Sequence, residues 1–306
     1  MSRKIVISII YLLSSLVLFA QNNPPEDNFY QRVKVIPDVV FGHKLGMALT
    51  MDVYQPPRQN GCAVLFINSG GFFSPFAPQQ YKIDTLKTKS NAIFITKEEY
   101  ITPDFMQQFS FQDLLKAGYT VFDIRHSSSP KFMLNEIVAD CEMALNYIIK
   151  NNNKFKIDRN RIGVWGASAG AYLAAYLGFN QNNKIKAVVL YFPSGYDLLK
   201  FPEVVKALPA LSIKDDILKK LSLYNFISGN DPPTLLLYGE QDSNFITDPS
   251  EKLFQALDSV GVETKLIKYP TVGHMWRGEN GQFDREISSK AMSELIAWFN
   301  NYLIKN

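Results

Sequence analysis

Ser168 stands in the pentad Gly166-Ala167-Ser168-Ala169-Gly170, with a glycine two places to either side of a hydroxyl. That spacing points to nucleophilic chemistry. A serine hydroxyl is a weak nucleophile. It attacks a carbonyl when a base takes its proton and when fixed donors receive the charge developing on the carbonyl oxygen. The hydroxyl has to be lifted out on a sharp, strained turn between a strand and a helix. A side chain at Gly166 or Gly170 would then collide with the neighbouring strand and helix. The N–H of Ala169, at the start of the following helix, suits a developing oxyanion. The bland alternative is a Gly/Ser-rich helix start without chemistry.

A base and an orienting acid must accompany the serine. The chain has three His. His43 falls in an expected N-terminal hairpin. His126 follows a strand upstream of Ser168 and reads as a hydrogen-bonded loop residue, with substrate contact as the alternative. His274, in the run Val272-Gly273-His274-Met275-Trp276, lies between the last strand and the last helix. In the chain order nucleophile, acid, base, His274 alone follows Ser168 and is the expected base. The strand expected at 234–238 delivers Glu240-Gln241-Asp242. Asp242 is the expected acid, with Asp248 and Glu240 as alternatives. Gly70-Gly71, just after the apolar run 63–67, would let backbone N–H groups approach a substrate oxygen. The expected oxyanion donors are therefore Gly70, Gly71 and Ala169. Phe72 and Phe73, beside that glycine pair, and Trp276 are candidate substrate contacts. No Cys/His grouping has metal-ligand spacing, and the chemistry calls for no metal or organic cofactor.

The elements that must hold these residues are legible as runs and periods. Residues 33–40 and 44–54 alternate like paired strands, with Gly42 near the turn. The runs 63–67 (AVLFI), 119–124, 161–165, 185–192, 234–238 and 262–269 read as strands, most of them continuous apolar runs buried on both faces. Helices are expected over 104–117, around Ile137, Cys141, Ala144, Leu145 and Ile148, over 171–178, over 249–260 and over 287–304. The alternation of strand and helix implies a mostly parallel sheet covered on both faces. Two connections, about 72–109 and 193–233, are long. They follow strands whose C-terminal ends should border the site, and they read as lid-like insertions.

Composition is that of a globular protein: 306 residues, 46% hydrophobic and 20% charged. The length suits one domain at 21–306. Arg3 and Lys4 precede an apolar run at 5–20, and the chain turns polar at Gln21. This reads as a signal peptide at 1–20, with export to the periplasm or the medium. The alternative is an uncleaved anchor, although the run is short against the roughly 20 residues a membrane span needs. No stable membrane insertion is expected after cleavage. Loss of Arg3 and Lys4 takes the formal charge from +3 to about +1. Without basic runs, that balance argues against a nucleic-acid partner. Cys62 and Cys141 read as two buried free thiols, although export would permit a pair. Nothing in the sequence sets an oligomeric state.

Several segments together resemble the α/β-hydrolase superfamily, in its esterase/lipase branch related to hormone-sensitive lipase and carbohydrate acyl esterases. The segments are residues 49–56 (LTMDVYQP), Asn68-Ser69-Gly70-Gly71-Phe72, residues 157–164 (IDRNRIGV), the Ser168 pentad, residues 232–242 (PPTLLLYGEQD) and residues 269–274 (YPTVGH). They match in order and spacing from about residue 40 to the C-terminus. The resemblance implies an α/β-hydrolase fold, Ser168 as nucleophile, Asp242 as acid, His274 as base, and Gly70, Gly71 and Ala169 as oxyanion donors. It departs from the family's His-Gly-Gly-Gly motif at Asn68 and Ser69. The implied function is hydrolysis of carboxylic esters through an acyl-enzyme, with a small-molecule or carbohydrate ester as partner. A prolyl-oligopeptidase-like serine peptidase and a non-catalytic hydrolase-fold binding protein are the alternatives.

Overall fold

The computed structural model describes residue 29 and residues 32–74, 110–180 and 184–304. The expected leader and most of the 72–109 insertion, with Phe76 and Tyr81, lie outside the described residues. So does the 104–109 part of the helix expected over 104–117.

A hairpin opens the sheet. Strand β1 (Lys34–Lys44) pairs antiparallel with β2 (Met47–Gln55). The turn falls at Leu45 and Gly46, both at positive φ, as a tight two-residue connection requires. It does not fall near Gly42, which lies inside β1 at a register shift. Strands β3 (Ala63–Asn68), β4 (Thr120–Arg125), β5 (Ile162–Ala167), β6 (Ala187–Tyr191), β7 (Thr234–Gly239) and β8 (Thr264–Tyr269) complete the sheet. Its order is β1-β2-β4-β3-β5-β6-β7-β8. β2 runs antiparallel to β4, and every pairing from β4 through β3 to β8 is parallel.

The helices are α1 (Gln112–Lys116), α2 (Leu134–Lys150), α3 (Asn152–Phe155), α4 (Ala169–Asn180), α5 (Pro202–Ala207), α6 (Asp215–Leu221), α7 (Asn244–Ser259) and α8 (Arg285–Phe299). β3 shows how they divide. Ala63, Leu65 and Ile67 enter one core with residues of α2 and α4, whereas Val64 and Phe66 enter the other with residues of α1 and α8. A strand buried on both faces has no polar side to show, which is why its sequence is a continuous apolar run. α7 begins at Asn244, five residues before the expected start at Pro249. Proline commonly opens a helix, but here the buried Ile246 packs an additional turn ahead of it. The last helix ends in a π turn (Asn300–Ile304). Cys62 and Cys141 are free and buried, and burial raises both thiol pKa values.

Candidate active site

Each proposed catalytic side chain leaves the sheet at the C-terminal end of a strand or on the connection after one. Ser168 follows β5 at φ 55, a left-handed conformation that costs a non-glycine residue roughly 1–2 kcal/mol. The surroundings enforce it. The Ser168 N–H donates to the Tyr191 carbonyl at 2.9 Å, and the Ser168 carbonyl accepts from Ala171 N–H at 2.9 Å. A Cβ at Gly166 would lie 2.1 Å from the Gly170 oxygen, and one at Gly170 would lie 2.4 Å from the Ile67 oxygen. Both contacts are with backbone, so the two glycines are what lets the turn close against its own helix and against β3.

His274 joins Ser168 to Asp242. Its Nδ1 lies 2.7 Å from Asp242 Oδ2, and its Nε2 lies 3.2 Å from Ser168 Oγ. An ionised carboxylate only accepts, so Nδ1 carries the proton and Nε2 faces the serine as an acceptor. The Asp242 side chain is 4% exposed and that of His274 40%: the acid is enclosed, and the base opens toward solvent. Asp242 also accepts from the Ser243 N–H at 2.7 Å. Such a relay can move a proton from Ser168 to His274 as the serine oxygen forms a bond to carbon. The alternative acids lie elsewhere. Asp248, on α7, pairs with Lys200 at 2.5 Å, and Glu240 is exposed. His43 lies in β1. His126 is buried with Nδ1 2.8 Å from the Ser127 carbonyl, and burial lowers its pKa to about 4, so it stays neutral through the neutral range.

Two residues that the sequence did not single out seat this relay. A Cβ at Gly239 would lie 2.1 Å from the Val272 oxygen, and one at Gly273 would lie 2.9 Å from the Gln241 oxygen. The acid loop and the base loop therefore touch backbone to backbone, joined by Gln241 N–H to the Val272 carbonyl at 3.0 Å. Gly239→Ala should push these loops apart, and displacement by about 1 Å costs on the order of 10²-fold in turnover. Steady-state kinetics beside a thermal melt reads this. A variant with wild-type kcat and Tm would show that the contact does not seat the relay.

The aromatic candidates need correction. Trp276 is fully buried, tilted against Phe192 (4.3 Å between ring centroids) and edge-on to Tyr191 (5.3 Å) and Tyr269 (5.2 Å). Full burial leaves it no surface to offer a substrate. Phe192 also lies 5.0 Å from the His274 ring, so the cluster forms a wall behind the base. Met275 and Trp276 both take positive φ immediately after His274, and the buried indole holds that turn in place. Phe72 is likewise buried, edge-on to Tyr172 at 5.8 Å, which leaves Phe73, half-buried, as the remaining candidate.

The glycine pair forms a tight hairpin turn. Gly70 N–H donates to the Phe73 carbonyl at 2.8 Å, and Phe73 N–H donates to the Gly70 carbonyl at 2.9 Å. Gly71 (φ 56) and Phe72 (φ 64) between them match the left-handed pair of a type I′ turn. Gly70 is therefore corrected as an oxyanion donor, because its N–H is already bonded. The N–H groups of Gly71 and Ala169 make no hydrogen bond among the described residues. Leu208, from the 193–233 segment, comes within 3.6 Å of where a Gly71 Cβ would stand. That segment is tied to α4 by the Tyr172 hydroxyl, which donates to the Leu221 carbonyl at 2.7 Å. Among the described residues, no group of three or more His, Cys, Asp or Glu could hold a metal ion.

A protein-family model described as BD-FAE matches residues 51–257. A truncated carbohydrate esterase from gut microbiota superposes with a TM-score of 0.65 at 22% identity, covering 91% of this chain and 99% of its own. At that identity the likeness is one of fold, and the fold is the α/β-hydrolase fold with a mixed, mostly parallel eight-stranded sheet. Isoprenylcysteine alpha-carbonyl methylesterase ICME of Arabidopsis thaliana is 24% identical over 178 residues, 47% of this chain and 40% of that protein. The uncharacterized peptidase YuxL of Bacillus subtilis is 27% identical over 155 residues, 48% of this chain and 23% of that protein. The alignments thus span less than half of these curated relatives.

Proposed function

We propose that this chain, which belongs to the BD-FAE family, hydrolyses carboxylic esters through an acyl-enzyme on Ser168. The observation that carries the reading is the unbroken relay Ser168–His274–Asp242. His274 Nε2 takes the hydroxyl proton as Ser168 Oγ bonds to the carbonyl carbon, and the carbonyl oxygen becomes an oxyanion held by the N–H groups of Gly71 and Ala169. The oxyanion collapses, the carbon–alkoxide bond breaks, and His274 returns the proton to the leaving alcohol. Water then attacks the acyl-enzyme by the same route and releases the acid. A fluorophosphonate probe that labels wild type and not Ser168→Ala supports an enzyme. Absence of labelling would favour a non-catalytic binding protein.

The substrate is an acylated carbohydrate or a similar small ester, with a short or aromatic acyl group. Support comes from Leu208, which stands 3.6 Å from where a Gly71 Cβ would lie, and from the tie between its segment and α4, which keep that segment beside the glycine turn. Phe73→Ala should then shift preference toward longer acyl chains, by about 1–3 kcal/mol in the ratio of kcat/KM values. The measurement is kcat/KM on C2, C4, C8 and C12 p-nitrophenyl esters, beside acetylated and feruloylated sugars. A wild-type optimum at C12, or an unchanged profile in the variant, would sink the shallow pocket. Faster turnover of peptidyl p-nitroanilides than of any ester would favour the peptidase alternative. Export belongs to the same proposal, on the strength of Arg3, Lys4 and the apolar run at 5–20. N-terminal sequencing of the exported protein should read Gln21 first, and Met1 or Ser2 at its start would argue against cleavage.

A further inference from the structure

We infer that the ion pair of Lys44 with the buried Asp140 positions the oxyanion turn, acting through the loop at residues 126–130, so that Asp140 is a positioning residue that never meets the substrate. The inference rests on the ester-hydrolase reading of the site.

Asp140 lies in α2 with no solvent exposure. One carboxylate oxygen lies 2.5 Å from Lys44 Nζ, an ion pair by charge and distance without hydrogen-bond geometry. The other accepts from the Ser127 N–H at 2.9 Å and from the Ser127 hydroxyl. Lys44, reaching in from the end of β1, also donates to Ser127 Oγ at 3.3 Å and to the Glu136 carbonyl at 2.8 Å. Both members of the pair thus grip the same residue. The His126 ring flanks them with Nδ1 toward the Ser127 carbonyl, and as a neutral group it adds no second cation.

From Ser127 the chain runs directly to the turn. Ser74 N–H donates to Ser128 Oγ at 3.0 Å, and Ser129 N–H donates to the Phe72 carbonyl at 3.1 Å. Phe72 is the second corner of the Gly70–Phe73 turn, and Gly71 is the first corner, whose N–H makes no hydrogen bond among the described residues. A buried ion pair adds little to stability against a well-packed apolar pair. The hydrogen bonds that its two members make to Ser127 do fix geometry, and an oxyanion donor has to be held within about 0.5 Å. The Gly71–Phe72 turn has two left-handed residues in succession, one of them a phenylalanine, so it needs outside support to keep that shape.

Asp140→Asn keeps the volume and removes the charge, and Lys44→Met/Asp140→Asn removes the partner charge as well. Two readouts are needed, one of them independent of turnover. In both variants, hydrogen exchange at the Phe73 and Ser74 amides should rise about tenfold or more. On p-nitrophenyl acetate, kcat should fall about 10- to 100-fold with KM within about threefold. Ser127→Ala, which removes the hydroxyl that both Lys44 and Asp140 hold and leaves the bonds of Ser128 and Ser129 to the turn in place, should raise the same exchange in a chain that stays folded. It keeps the test available if the Asp140 variants do not fold. Wild-type exchange at residues 73–74 in a folded variant overturns the inference, and so does raised exchange with unaltered kcat. If exchange rises and the wild-type chain hydrolyses no ester, the coupling stands and the esterase reading fails.

Discussion

Ser168→Ala and His274→Ala should each lower kcat by about 10⁴-fold or more while the protein stays folded, and Asp242→Ala should cost somewhat less. The three act as one unit, because the serine gains nucleophilicity only when Nε2 of His274 is free to accept, and the 2.7 Å bond to Asp242 is what keeps the proton on Nδ1. Removing any one member leaves the others with nothing to relay. The double variant Ser168→Ala/His274→Ala should therefore be little worse than either single variant, because the losses do not add. His126→Ala is the control. Its ring is neutral, buried and turned to the Ser127 carbonyl, so it should keep most activity in the folded fraction. Full activity in His274→Ala, with none in His126→Ala, would mean that the base has been misassigned.

The second large effect should come from Gly71. Valine there has to adopt φ 56, and a β-branched residue avoids that region strongly. The Cβ itself meets no clash among the described residues, where the nearest atom is Leu208 Cδ2 at 3.6 Å, an ordinary contact. The strain should open the turn and move the Gly71 N–H, and one lost oxyanion donor is worth about 3–4 kcal/mol, roughly 10²- to 10³-fold in kcat. Gly71→Asn separates strain from bulk. Asparagine tolerates left-handed backbone, so it should lose less than about tenfold on this argument. Equal losses in both variants would point to obstruction of the site by any side chain. Unchanged kcat and melting in Gly71→Val would remove this turn from the oxyanion hole.

The glycines of the Ser168 pentad were legible because a sharp strand-to-helix turn demands them at fixed spacing: a Cβ at Gly166 meets Gly170 four residues on, while the one at Gly170 meets Ile67 of β3, a partner that only the folded sheet brings near. Chain order was enough to separate His274 from His43 and His126. Continuous apolar runs revealed strands buried on both faces, and with them the mostly parallel sheet. What failed was reading roles from proximity in sequence. Trp276 and Phe72 stand beside site residues in the chain, yet both are buried, each at a left-handed backbone position that chain order does not reveal. Gly70 looked like a donor until the turn closed on it, since whether an N–H is free depends on a carbonyl three residues on.

By itself the sequence determined what local chemistry dictates: the strained serine turn, the order of nucleophile, acid and base, and the alternation that builds the sheet. The tertiary structure alone decided how far apart those groups stand and what holds them there. Gly239 against Val272, Phe192 behind His274, and Asp140 acting on Phe72 through Ser127 and Ser129 join residues tens of positions apart. Such contacts leave no periodic or motif signature, because each partner's residue type satisfies its own local backbone whether or not the other is present. They arise only when the strands take their order in the sheet and bring those loops to one edge.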